Sequence, residues 1–258
     1  MSPASRTSQK RSIPGTAPDP KQAAEAVGQF IETLKVMGAK AADKGIEEVA
    51  LKAIISLRRL GLEAAEKGLE KASQQTVLSI DEVGYKAAER VLRYAAEKAA
   101  LSLGELGSKA AQKGLGDLAL KAASALNRVW IKAAERDLQN VVWETASSLV
   151  DIGVIAAKPR FGATGNVDSS LNLLELTSRK AAISLWTLGA WATYKKIHKL
   201  SEHIISGLGS IRDVSDVALV QNAYDVAKEA VNYFGLPELP LALENFKASY
   251  QQQKDQIP

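Results

Sequence analysis

From residue 38 to residue 158 the apolar and polar positions repeat with a period of 23 residues. With Gly38 as position 0, apolar or small residues fall at positions 8, 11, 12, 15, 16, 19 and 22. These steps of three and four describe the buried stripe of an amphipathic helix of about four turns. Positions 1, 3 and 4 form a second, shorter stripe, and glycines at positions 0 and 7 separate the two. Glycine tolerates positive φ and commonly ends helices. The pattern therefore predicts, in each unit, a long helix, a corner at position 0, a short helix and a second corner at position 7. An alternative fits the same pattern: one helix of about 20 residues per unit, stacked up and down. The third unit favours that alternative, because Val91 stands at position 7 and "YKAAERVLRYAAEKAALSL" reads as one continuous helix.

The units register without a gap. Gly38, Gly61, Gly84, Gly107 and Gly153 lie on the grid, and Trp130 alone interrupts it. Positions 3 and 4 are Ala-Ala throughout, from Ala41-Ala42 to Ala156-Ala157. Position 8 holds Ile46, Leu69, Leu92, Leu115 and Leu138, and position 19 holds Leu57, Ile80, Leu103, Leu126 and Leu149. Alanine has almost no side chain, so the pairs are expected to mark close backbone approaches. A single unit cannot bury its stripe alone; stacking of neighbours supplies the core.

Segments flanking the grid extend it. In "DPKQAAEAVGQFIETLKVM", Ala23, Ala26, Val27, Phe30, Ile31, Leu34 and Met37 fill the long-helix columns, and Asp19-Pro20 offers a helix start. This half-unit is expected to be an N-terminal cap. "KPRFGATGNVDSS" breaks the grid as a loop rich in Gly, Pro and Asn. Beyond it, Gly189 lies 36 residues past Gly153, one period plus a 13-residue insertion, which suggests a diverged repeat. "DVSDVALVQNAYDVAKEAVNYFG" reads as a helix ended by Gly235, and "LPELPLALENFKASYQQQ" as a last helix after a Pro-bounded turn.

The expected organisation is a basic, disordered tail over residues 1–20, a repeat array over 21–158, a loop over 159–170, and a diverged repeat with a helical cap over 171–258. The tail is rich in Ser and Pro and cannot bury enough apolar surface to offset ordering. The fold class is all-α: a right-handed α-solenoid of five to six 23-residue helical repeats with a helical C-terminal cap. The phrases "SLRRLGLEAAEKGLEKA" and "SLGELGSKAAQKGLGDLALKA", in which a helix ends in Leu-Gly before an Ala-rich helix, resemble α-solenoids of the HEAT-like superfamily. The resemblance covers roughly residues 21–158 and departs in length, since the usual HEAT unit is about 40 residues. It implies a scaffold fold and carries no functional residue across.

Composition adjusts this picture modestly. Aromatics are 5%, so the core must be mostly aliphatic and alanine. There is no cysteine, which excludes disulfides, thiol catalysis and Cys-ligated zinc. That composition is compatible with the reducing cytoplasm, the expected location. The net charge of +4 is spread thinly. "AAISLWTLGAWATY" (Ala181 to Tyr194) is the longest apolar run and is too short to span a bilayer, so it reads as a buried helix.

Candidate chemistry is sparse, and neither a cofactor nor a metal site is expected. His198 and His203, the only histidines, are five residues apart rather than the four that would share a helix face. "GLG" (Gly207 to Gly209) reads as a helix corner, and "GATGNVD" as a plain loop. No nucleophile, base and orienting group can be assembled, so no catalytic residue is expected. Acids and bases at positions 5 and 6 (Asp43/Lys44, Glu66/Lys67, Glu89/Arg90, Glu135/Arg136) read as a solvated face.

The candidate partner-binding residues are the position-6 bases Lys44, Lys67, Arg90, Lys113 and Arg136, together with Trp186 and Trp191. Lys40, Lys86, Lys109 and Lys132 at position 2 would join the bases if all lay on one ridge. The tryptophans, Trp130 and Trp143 included, read first as core or cap residues, and Trp186 with Trp191 as a partner groove in the sharper version. The expected function is a non-enzymatic helical-repeat scaffold that binds a protein partner along an extended face. Two alternatives are a nucleic-acid-binding solenoid, opposed by the interleaved acids, and an amphipathic protein lying on a membrane surface.

Overall fold

The chain turns at position 7 of each unit and nowhere else within it. The computed structural model describes residues 20–158, 169–215 and 217–255. Residues 1–19 of the tail expected over 1–20, residues 159–168 of the expected loop, and its "GATGNVD" motif lie outside the described residues, while Pro20 begins the first helix and residues 169 and 170 begin the helix after the loop.

Ten helices follow one another: α1 Pro20–Asp43, α2 Glu47–Glu66, α3 Glu70–Glu89, α4 Arg93–Lys113, α5 Gly116–Glu135, α6 Gln139–Ala157, α7 Ser169–Tyr194, α8 His198–Val214, α9 Val217–Ala230 and α10 Leu239–Asp255. A 3-10 turn over Val231–Phe234 and a left-handed Gly235 close α9. No strand occurs among the described residues. Each unit thus contributes one helix of about 20 residues, and the long-and-short pair is replaced by the stacked alternative.

The corner has one construction throughout. The position-7 residue adopts positive φ at Gly45, Gly68, Val91, Gly114 and Asp137, and again at Lys196 between α7 and α8. The position-8 amide donates back to the position-3 carbonyl: Ile46 to Ala41 at 2.8 Å, Leu69 to Ala64 at 2.8 Å, Leu115 to Ala110 at 2.9 Å and Ile197 to Ala192 at 2.8 Å. The position-7 amide donates to position 4, as from Gly45 to Ala42 at 2.9 Å. These two bonds define the Schellman motif, which satisfies the last carbonyls of a helix and places an apolar residue just beyond the left-handed one. That residue is the position-8 Ile or Leu. It is also the N-cap of the next helix, so the chain reverses within three residues. Val91 turns as the glycines do, and the third unit is not a continuous helix.

Position 0 is not a corner. Gly38, Gly61, Gly84, Gly107 and Gly153 lie inside α1, α2, α3, α4 and α6, and Gly189 lies inside α7. Each of the first five sits where two other helices converge, whereas Gly189 meets Phe246 of α10. A Cβ on Gly38 would lie 2.8 Å from Ala53 Cβ and 3.0 Å from Val83 Cγ2; one on Gly61 would lie 2.8 Å from Thr76 Cγ2 and 2.9 Å from Leu106 Cδ2. Ala53 and Thr76 are position 15 of the next helix; Val83 and Leu106 are position 22 of the helix after it. Gly107 meets Ala122 and Ile152 in the same way, and Gly153 meets Ala181 and Ile211. The contact survives the 13-residue insertion, which shows that α7 and α8 continue the array.

Every helix from α1 to α6 packs against the next two in sequence. Consecutive helices run antiparallel and alternate helices parallel, which gives two layers: α1, α3, α5 and α7 in one, α2, α4, α6 and α8 in the other. The structural period is therefore two units, 46 residues. The Ala-Ala pairs are buried where the layers meet, as at Ala64-Ala65 and Ala87-Ala88. Trp130 replaces the fifth grid glycine; its ring stacks on Phe234 with centroids 5.7 Å apart, and its Nε1 donates to Asn127 Oδ1 at 2.9 Å. The exchange of Gly for Trp adds a contact between the array and the turn that closes α9. α9 and α10 then pack on α7.

Candidate binding surfaces

Positions 10, 13, 14, 17, 20 and 21 lie opposite the buried stripe, so they form the outer face of each layer. On the layer of α1, α3 and α5 this face is laced by polar pairs between parallel neighbours. Asp81 Oδ2 accepts from Arg128 Nη1 at 2.8 Å, Asp117 Oδ2 accepts from Gln74 Nε2 at 2.7 Å, and Lys35 Nζ lies 3.9 Å from Glu82. Asp81 is buried, and its second carboxylate oxygen has no hydrogen-bond partner. Burial pushes its pKa up from 3.8 to about 6; Arg128 opposes this and Glu82 adds to it.

The face of α2, α4, α6 and α8 has another character. Ile55, Tyr94 and Trp143 are exposed on it, and Leu101 is partly exposed. Trp143 on α6 is 38% exposed and stacks on His203 of α8, with centroids 5.1 Å apart and planes 19° from parallel. Ser147 Oγ lies 3.1 Å from His203 Nε2. Burial lowers the His203 pKa, against an upward pull from Asp151. Beside this pair sits a cluster of acids. Burial first, then the charges of Glu97, Asp151 and Glu105, raise the Glu144 pKa, with Lys98 pulling it down. Glu105 is also paired with Arg58 of α2. A carboxylate crowded by like charges holds unspent attraction for a cation.

The position-6 bases do not share a ridge. They fall at helix ends, and alternate helices point in opposite directions. Lys44, Arg90 and Arg136 follow α1, α3 and α5 at one edge of the array; Lys67 follows α2 and Lys113 ends α4 at the other. All five are exposed. Lys67 binds Glu63 at 2.5 Å, and Lys113 donates to the Glu66 carbonyl at 3.1 Å. The position-2 lysines are held by acids: Lys86 by Asp43 at 2.7 Å, Lys109 by Glu66 at 3.1 Å and Lys132 by Glu135 at 2.5 Å. Asp43 and Glu66 thus reach the helix two units on, while Glu135 pairs within its own helix.

Trp186 and Trp191 are 2% and 3% exposed, so both are core residues; Trp186 forms part of the wall of a small pocket shared with Arg212, Val220, Gln221, Lys247, Tyr250 and Gln251, and Trp191 does not line it. Trp186 Nε1 donates to the Val220 carbonyl at 3.1 Å, and its ring meets Tyr224, Phe246 and Tyr250 edge-on. The run from Ala181 to Tyr194 is buried within α7 as expected. Gly207 and Gly209 lie inside α8, not at a corner; Gly207 packs against Val150. His198 and His203 join no metal set, and no group of three or more metal-ligating side chains occurs among the described residues. Among those residues, no helix is long and apolar enough to cross a membrane.

The acid and Trp143 cluster was missed in the sequence. Its signal was there at positions 13, 14 and 21 of alternate units, which the single-unit period treats as separate surfaces. The chain is an all-α array of packed helices; apolar side chains are exposed on both outer faces, Val36 and Leu78 on one and Ile55, Tyr94 and Trp143 on the other, and the acid cluster lies on the second. No protein-family model matches the sequence, and no curated protein matches it.

Proposed function

We propose that this protein is a non-enzymatic helical-repeat scaffold that binds a protein partner across the outer face of α2, α4, α6 and α8. One observation carries the reading: an exposed tryptophan, Trp143, stands next to acids that crowd one another, Glu144, Glu97 and Asp151. Large aromatic anchors ringed by charge are typical of interface centres. The partner segment that fits is basic with an apolar anchor: its cations relieve the repulsion at Glu144 and its anchor covers Trp143 and Leu101. The 46-residue helix pair supports a HEAT-like assignment, since such units run about 40–47 residues.

The test is to pan a displayed peptide library on the immobilised protein. Peptides rich in Lys and Arg around an apolar residue are expected, with binding lost in Trp143→Ala and Glu144→Lys. Binding should persist in Lys44→Ala, Arg90→Ala and Arg136→Ala. Peptides that bind wild type and Trp143→Ala equally well would overturn the reading.

A further inference from the structure

The register of the array identifies one end of it as incomplete. Position 15 of every helix from α2 to α6 packs beneath the helix before it: Ala53, Thr76, Ala99, Ala122 and Thr145 are all fully buried. Position 22 packs against the helix two before: Val83, Leu106, Val129 and Ile152 are fully buried. In α1 the same positions are Phe30 and Met37, and they are 53% and 44% exposed. Leu60, position 22 of α2, is only partly covered. A further unit of the usual kind does not fit there. The glycine that seats position 15 leaves room for an alanine or threonine, not for a phenylalanine.

We propose that this end is closed by a second copy of the chain, with α1 packed antiparallel on α1 of that copy. The exposed residues Ala26, Phe30, Thr33 and Met37 step by four, three and four, the spacing of a helix-packing seam. Along it small and large side chains alternate. Thr33 Oγ1 already donates to the Gln29 carbonyl at 2.9 Å, so the residue offers its methyl group. An antiparallel copy sets Phe30 against Thr33 and Met37 against Ala26, filling each large side chain's place with a small one. A parallel copy would set Phe30 on Phe30 and Ala26 on Ala26. Charge chooses the same direction. Glu25 stands at the start of the seam and Lys40 at its end, both exposed. Antiparallel packing brings Glu25 of each copy toward Lys40 of the other; parallel packing brings like charges together. The contact uses the same face of both copies, so it closes as a twofold dimer and does not propagate into a filament.

Sedimentation velocity over a range of concentrations is the first measurement. A monomer–dimer equilibrium is expected for the full chain, and Phe30→Glu should be monomeric, with a thermal melt that matches wild type at concentrations where wild type is itself monomeric. Direction is read by crosslinking, which is clean in a chain without cysteine. A mixture of Ala26→Cys and Met37→Cys chains should crosslink one variant to the other on oxidation, in preference to either variant alone. A wild-type chain that stays monomeric, a dimer indifferent to Phe30→Glu, or a preference for self-crosslinking each overturns the proposal. A monomeric Met37→Cys chain that reacts faster with a thiol reagent once residues 1–19 are removed would assign the seam to the chain's own tail, and also overturns it.

Discussion

At the scale of single residues, two positions govern the fold, and they ask opposite things of the side chain. Position 7 needs a left-handed backbone, and Val91 occupies it with φ 61°. A β-branched side chain there is strained by about 1–2 kcal/mol. Val91 is exposed, so it returns little burial. Val91→Gly should therefore stabilise the protein by about 1 kcal/mol, seen as a higher denaturant midpoint at unchanged slope. Position 0 needs an absent side chain. Replacing a helical glycine by alanine normally gains about 1 kcal/mol. At Gly84 the new Cβ would fall 2.5 Å from the Ala99 Cβ, which cannot rotate away. Gly84→Ala should destabilise by about 1–2 kcal/mol. At Gly209, inside α8, an added Cβ meets nothing within 4 Å, and Gly209→Ala should stabilise. The opposite signs separate close approach from helix propensity. Sequence alone does not separate them, since glycine serves both corners and contacts; that is why position 7 was legible and position 0 was misread.

At the scale of helices, what was legible followed from periodicity and what was not followed from pairing. The stripe at positions 11 to 22 and the Ala-Ala pairs read directly as the core, whereas position 8, just past the corner, is exposed at Ile46 and Leu69 and buried only at Leu138. Ala87 and Ala110 are fully buried, and Ala87→Leu or Ala110→Leu should cost about 1–3 kcal/mol by overpacking. The outer faces are built by residues two units apart, so one period cannot show them. Glu97 and Glu144 are 47 residues apart, as are Asp81 and Arg128. The Asp81 contact has a pH signature. Its pKa is raised from 3.8 to about 6 chiefly by burial. Between those values the folded chain holds a proton that the unfolded chain has released. The group's contribution to stability is thus best below the unfolded value and declines as pH rises through about 6, by about 2–3 kcal/mol in all. Asp81→Asn does not titrate, so its stability should gain on wild type from about pH 4 to about pH 7. A stability gap that does not change with pH would mean that Arg128 fully compensates the buried charge.

At the scale of the whole molecule, the departure from the repeat matters more than the repeat. Trp130 breaks the glycine grid, and its ring stacks on Phe234 in the turn that closes α9. Trp130→Gly would restore the grid yet remove a fully buried indole. A loss of about 3–5 kcal/mol is expected, against the gain that a repeat consensus alone would forecast. The same packing decides how the chain meets lipid. An amphipathic surface helix must offer its apolar stripe to the bilayer, but here those stripes face one another; Leu57, Ile80, Leu103, Leu126 and Leu149 are fully buried at position 19 of successive units. Lipid would have to separate the helices before it could bind them. Circular dichroism should show a strong helical signal that melts cooperatively without lipid, and anionic vesicles should change neither the signal nor the midpoint. A weak signal that rises only with vesicles would mean that the stripes are free in water, and the packed array, its corner geometry and the surfaces built on it would fall together.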